Sequence, residues 1–190
     1  MSIAPKLVTI FGGSGFVGRY VAQRMAKEGW RVRVAVRRPN EALFVKTYGD
    51  VGQVEPILAN IRDEKSTRAA IIGADAVVNC VGILNETSKQ KFTDLQSKGA
   101  SQIAKLATEC GVKTFVHFSA IGADIKSQSK YLKSKAEGEE LVKASFKNAV
   151  ILRPSIVFGL DMRNKSLFQL IATIKKGLFF YIGRAGAIVN

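Results

Sequence analysis

The turn Phe11-Gly12-Gly13-Ser14-Gly15-Phe16-Val17-Gly18, set between an apolar run and an amphipathic one, constrains this chain more than any other stretch. Lys6 to Phe11 is short, apolar and β-branched, the pattern of a strand buried on both faces. Past the turn, Val17, Val21, Met25 and Ala26 recur at helical spacing, with Arg19, Gln23, Arg24 and Lys27 on the other faces. Gly12 permits a sharp turn, Gly15 removes a side chain where backbone must approach a phosphate, and Gly18 permits close helix–strand packing. The free N–H groups and the positive dipole end of the helix then suit an anion. Gly12, Gly13, Ser14, Gly15, Phe16, Val17 and Gly18 are therefore expected to cradle the pyrophosphate of a dinucleotide.

The rest of the chain alternates strand and helix patterns. Arg31 to Val36 reads as a second strand, ending in the turn Arg37-Arg38-Pro39-Asn40; Val54 to Ala59 reads as a third, placed near an edge by Pro56. A short helix fits Glu64 to Ile72, a fourth strand Ala76 to Val81, and a long helix Phe92 to Cys110, closed by Gly111. Thr114 to Ser119 is the fifth strand, Ser129 to about Ser145 a helix, and Asn148 to Arg153 the sixth strand, stopped by Pro154. Such alternation predicts a Rossmann-type α/β fold, a doubly wound parallel sheet of order 3-2-1-4-5-6 with helices on both faces. Ligand is expected at the carboxyl edge, where Arg37, Gly82, Ser119 and Pro154 all fall. The dinucleotide-binding domain is expected over residues 1–160. Residues 161–190 then begin a substrate region that reads as truncated, with a helix over Ser166 to Lys176 and an extra strand near Leu178 to Ile182.

Composition narrows the classes. At 190 residues and 47% hydrophobic, the chain can bury one good core, and it has no apolar run long enough to span a bilayer. The first strand starts too near Met1 to leave room for a leader. Two cysteines, Cys80 and Cys110, make neither a disulfide framework nor a metal-ligand pattern, so a reducing, cytoplasmic compartment and no metal are expected. The net charge of +14 suits an acidic protein or an anionic membrane surface, whereas the lysines lack the interleaved aromatics of a specific nucleic-acid platform.

Two further constellations bear on chemistry. A site for NAD(H) needs a carboxylate on the ribose hydroxyls about twenty residues past the turn, where this chain has Arg37 and Arg38. Arginine suits a 2′-phosphate, so NADP(H) is favoured, with NAD(H) the alternative. In Tyr131-Leu132-Lys133-Ser134-Lys135, the spacing puts Tyr131 and Lys135 on one helix face. The ammonium is expected to stabilise the phenolate, so that Tyr131 exchanges a proton with substrate while Lys135 also holds the nicotinamide ribose and Ser119 binds the reacting oxygen. The candidate catalytic set is thus Ser119, Tyr131 and Lys135.

The glycine turn, Asn79-Cys80-Val81-Gly82, Ser119, Tyr131 with Lys135, and Arg153-Pro154-Ser155 together resemble the extended and atypical short-chain dehydrogenase/reductase superfamily, including its NAD-dependent epimerases and dehydratases. Gly49 to Gln53, Gly82-Ile83-Leu84 and Lys130 to Glu139 are similar to one subgroup, the nucleotide-binding accessory subunits of respiratory complex I and their bacterial relatives. That resemblance implies tightly bound NADPH, a mainly structural role, association with complex I, and a peripheral place on the cytoplasmic face of the inner membrane. It adds Asn60, Ile61, Val81, Gly82 and Pro154 to the cofactor-binding residues, Asn60 standing where many relatives carry an aspartate. The competing expectation is an active NADPH-dependent reductase, dehydrogenase or epimerase on a small carbonyl, quinone-like or sugar-nucleotide substrate, since a purely structural protein need not keep Ser119, Tyr131 and Lys135.

Overall fold

The computed structural model describes residues 5–159 and 166–177. The chain divides into two units, residues 1–154 and 155–190. The first holds six parallel strands: β1 (Leu7–Phe11), β2 (Arg31–Val36), β3 (Val54–Leu58), β4 (Ala76–Asn79), β5 (Thr114–Phe118) and β6 (Val150–Leu152). Their order in the sheet is β3-β2-β1-β4-β5-β6, so β1 is central and the order reverses between β1 and β4. This is the Rossmann-type arrangement that the strand–helix alternation predicts.

Every residue of β1 is buried, because both faces of the sheet are covered. Leu7 and Phe11 point into one cluster with Val77, Phe115, Ile103, Leu106 and Val142, beneath α2 (Glu64–Ile71), α3 (Gly99–Glu109) and α4 (Lys130–Ser145). Val8 and Ile10 point the other way, joining Ala22, Val32, Val34, Val45 and Val78 beneath α1 (Phe16–Lys27) and a 3₁₀ segment, Pro39–Tyr48. The period of two along β1 thus sorts side chains between two cores.

The elements depart from expectation in three places. The stretch after Arg38 is not a simple turn: Pro39–Tyr48 winds into 3₁₀ structure because Ala42 and Val45 are buried under that face of the sheet. The helix expected from Phe92 to Cys110 begins as a π-helical segment, Thr93–Lys98, before α3. The wider turn lets two consecutive side chains face α4, where Gln96 Nε2 donates to Ser134 Oγ (3.1 Å) and Ser97 Oγ donates to the Ser134 carbonyl (3.1 Å). The sixth strand is only Val150–Leu152. Pro56 does lie in an edge strand, and Gly111 takes a φ of +72° at the end of α3. In the second unit, α5 (Ser166–Lys175) is followed by Gly177 at a φ of +69°. The extra strand expected near Leu178 to Ile182 lies outside the described residues. Among those residues, no helix is long and apolar enough to cross a membrane.

Candidate functional site

The glycine turn is built from backbone packed against backbone. Gly12 adopts a φ of +74°, and a Cβ there would sit 3.1 Å from the Cys80 carbonyl carbon and 3.2 Å from Val81 N. Its N–H donates to the Ala35 carbonyl (3.3 Å), which ties the turn to β2. Gly13 lies over β2, with room for a Cβ only 2.9 Å from Val34 Cγ1. A Cβ on Gly18 would collide with the Gly12 carbonyl oxygen and lie 2.7 Å from Gly13 Cα. Gly18 therefore lets the helix close on the turn itself, a tighter approach than the expected helix–strand contact. Gly15 is the N-cap of α1 and is exposed, and no side chain caps the helix. The N–H groups of the first turn are thus open to an anion at the positive end of the dipole. Ser14 uses its carbonyl on Arg19 Nη2 (3.2 Å), the Phe16 ring meets Tyr20 edge-on at 5.8 Å, and Val17 is half-buried.

The remaining sequence-derived residues are not equivalent. Arg37 is exposed at the end of β2 with no hydrogen bond or ion pair to the described residues, whereas Arg38 is paired with Glu41 at 2.9 Å. Asn60 folds into an Asx turn, its Oδ1 accepting from Arg62 N (3.2 Å). Ile61 is 8% exposed and packs against Gly99 in the core, which leaves little of its side chain for a ligand. Val81 is fixed by donation of its N–H to Asn79 Oδ1 (3.0 Å). Pro154 sits at the end of β6 and accepts from Ile121 N (3.0 Å).

Lys135 closes the site from α4. It is 4% exposed, and its Nζ donates to the Phe118 carbonyl at 3.0 Å, beside Ser119. Gly82 lies against both Lys135 and Gln96: a Cβ there would be in van der Waals contact with Lys135 Nζ (3.4 Å) and Gln96 Oε1 (3.5 Å). Burial lowers the Lys135 pKa to about 8, against the opposing influence of Cys80 and Glu139. The Ser119 hydroxyl is buried without a well-formed hydrogen bond to any described residue.

Tyr131 corrects one expectation. Its phenol is half-buried, its ring meets Phe92 edge-on at 5.7 Å, and burial pushes its pKa up. The phenolate is not favoured as the Tyr131–Lys135 spacing suggests, because burial desolvates the ring.

Three buried polar residues join the site that sequence reasoning missed. His117, wholly buried, takes a hydrogen bond from Asn79 Nδ2 at Nδ1 (3.1 Å), which assigns its proton to Nε2. Burial lowers its pKa to about 4. Gln96, 1% exposed, commits Nε2 to Ser134 and presents toward Gly82 an Oε1 with no partner among the described residues. Glu139, 3% exposed, follows Lys135 by one turn and is gripped by Arg153. Only its i+4 spacing from Lys135 was visible in the sequence.

A family model described as NAD(P)H-binding matches residues 12–167. The chain is 36% identical over 163 residues to mouse (Mus musculus) mitochondrial NADH dehydrogenase [ubiquinone] 1 alpha subcomplex subunit 9, covering 85% of this chain and 43% of that protein. It is 30% identical over 167 residues to the ceramide reductase of Caulobacter vibrioides, covering 87% of this chain and 51% of that one. The chain thus spans about half the length of these relatives, or less. The solved structure of Bordetella bronchiseptica WbmG in complex with NAD has a TM-score of 0.74 at 18% identity, over 92% of this chain and 61% of that one, a likeness of fold. A match that runs from the glycine turn past β6 makes the assignment plain: the chain belongs to the NAD(P)H-binding family, and it is similar to subunit 9 of the complex I alpha subcomplex.

Proposed function

We propose that the chain binds NADP(H) in preference to NAD(H), and that the nucleotide serves chiefly to stabilise an accessory component of a respiratory NADH dehydrogenase. The observation that carries this reading is the uncapped start of α1 together with an exposed Arg37 at the end of β2 that has no ion pair among the described residues. The open N–H groups suit the pyrophosphate, and the guanidinium suits a 2′-phosphate where NAD sites place an acid. Gly12, Gly15, Val81, Gly82 and Lys135 would hold the rest of the dinucleotide, which supplies a hydride donor or acceptor when bound.

The accessory role is supported by the relatives named as complex I subunits, and by a phenol whose pKa is raised instead of lowered. It places the protein at the inner membrane through a partner.

One observation favours the alternative of a reductase or epimerase acting on a small carbonyl, quinone-like or sugar-nucleotide substrate. Ser119 Oγ is buried next to the carbonyl that holds Lys135, without a well-formed hydrogen bond among the described residues and close enough to Glu139 to favour its carboxylate, so the hydroxyl can turn to a substrate oxygen. The relative named ceramide reductase points the same way.

Fluorescence titration with NADPH and NADH tests the first reading. NADPH is expected to bind more tightly, and Arg37→Asp to cut the preference by about tenfold or more, the scale of one charge-assisted hydrogen bond. Equal affinities in the unmodified protein would sink it. Carbonyl and quinone substrates offered to the same protein decide the second: NADPH oxidation that falls by about 10²–10⁴ in Tyr131→Phe would establish an enzyme.

A further inference from the structure

We propose that Glu139, through its ion pair with Arg153, is the positioning residue that fixes Lys135 and Ser119 at the carboxyl edge of the sheet. Arg153 Nε donates to Glu139 Oε1 at 2.8 Å and Nη2 to Oε2 at 2.6 Å, a two-point fork that sets the orientation of the carboxylate as well as its distance. The carboxylate is almost wholly buried, while the Arg153 side chain is 49% exposed. The pair therefore bolts the inner face of α4 to the strand end that carries Arg153.

That strand end is also where Ser119 is held. Ser119 N donates to the Leu152 carbonyl (2.7 Å), and Ile121 N donates to the Pro154 carbonyl (3.0 Å). The two acceptors flank Arg153 in sequence. One short segment thus grips the backbone on both sides of Ala120 and, through the guanidinium, the helix that presents Tyr131 and Lys135.

The charges around Glu139 fit this role. Burial works against the carboxylate, but Arg153, Ser119 and Lys143 together hold it below its ordinary pKa, so it stays ionised. Its charge in turn favours the protonated forms of His117 on β5 and Lys135 on α4, both of which burial opposes. Cys80, past β4, acts on Lys135 in the same sense. Take away the Glu139 charge and the Lys135 ammonium loses part of its support.

Glu139→Gln keeps the shape and removes the charge. The test follows the Lys135 titration by NMR of lysine labelled with ¹³C at Cε, assigned with Lys135→Arg, alongside NADPH titration. In the unmodified protein the midpoint is expected near 8. In Glu139→Gln it is expected to fall by about one pH unit, with NADPH affinity down about tenfold. A pair that neither supports the Lys135 charge nor holds it in place would leave the midpoint where it is. Should the single variant fail to fold, Glu139→Gln with Arg153→Gln leaves neither member of the pair without its partner and is still expected to lower the midpoint.

The NADPH readout rests on the cofactor reading proposed above; the lysine titration does not. A lowered midpoint in a protein that binds no dinucleotide upholds the positioning role and refutes the cofactor reading. An unmoved midpoint with NADPH bound as before overturns the positioning role and leaves the cofactor reading intact.

Discussion

Two stretches of the carboxyl edge, at central β1 and at β5, are made of different material. At β1 the cradle is backbone: Gly12, Gly13, Gly15 and Gly18 remove side chains so that main-chain atoms meet each other and face outward. At β5 the site is side chain: Lys135, His117, Gln96 and Glu139 are buried polar groups held by partners far away in sequence. Backbone geometry is set by sterics over a few residues, so it is rigid and indifferent to pH. A buried polar cluster costs desolvation at every member and stands only when its bonds and charges agree, which makes it tunable.

The contrast breaks most sharply at the glycines. Gly18→Val forces a branched side chain onto Gly12 and Gly13 backbone that cannot give way, and a destabilisation of about 3 kcal/mol or more is expected by denaturant unfolding. Gly15→Val meets only the Gly12 carbonyl oxygen, at 3.1 Å, so the fold should survive while dinucleotide binding is lost. Equal damage to stability from both changes would refute the distinction between a packing glycine and an access glycine.

At β5, acid should act where mutation of the turn does not. His117 is the chain's one histidine, so its imidazole resonances are unambiguous. Its folded pKa, about 4, lies below the ordinary 6.5, so the unfolded chain binds the proton first. Stability present above about pH 6.5 is then lost as pH falls toward 4, by roughly 3 kcal/mol at most. Urea midpoints near neutrality and near pH 4.5, compared with those of His117→Phe, measure the effect. An imidazole that titrates near 6.5 in the folded protein would contradict the burial of this cluster.

The smallest effect separates two neighbouring arginines. Arg38 and Glu41 are 77% and 67% exposed, so Arg38→Ala should change stability by less than about 0.5 kcal/mol and leave cofactor preference nearly untouched, in contrast to Arg37→Asp. A large loss of NADPH preference in Arg38→Ala would move the 2′-phosphate contact from Arg37 to Arg38.

What the sequence made legible follows the same division. The strand order, the edge position of Pro56 and the sharp turn at Gly12 were readable, because period-two patterning, proline's missing donor and a positive φ are local properties. The burial of Lys135 against the strand end beside Ser119 follows from the place of α4 after β5 in the alternation. The Glu139–Arg153 fork was not readable, since it joins α4 to β6 and neither residue differs from an ordinary surface charge in the linear chain. Gln96 faces the site only because Thr93–Lys98 widens into a π turn, which no periodicity in that stretch announces. The direction of the Tyr131 shift was misjudged because spacing shows a neighbouring charge but not the desolvation that outweighs it.

Pro56 carries a consequence beyond marking an edge. In β3 the ladder to β2 uses alternate residues, with Gln53 accepting from Val32 N and Ala59 donating to the Val36 carbonyl. By that parity the main-chain groups of residue 56 face away from the sheet, into the row where another chain's strand would pair. Proline offers no N–H there. The open flank of β3 is therefore a poor template for intermolecular strand addition, and the sheet is guarded on that side against polymerising edge to edge.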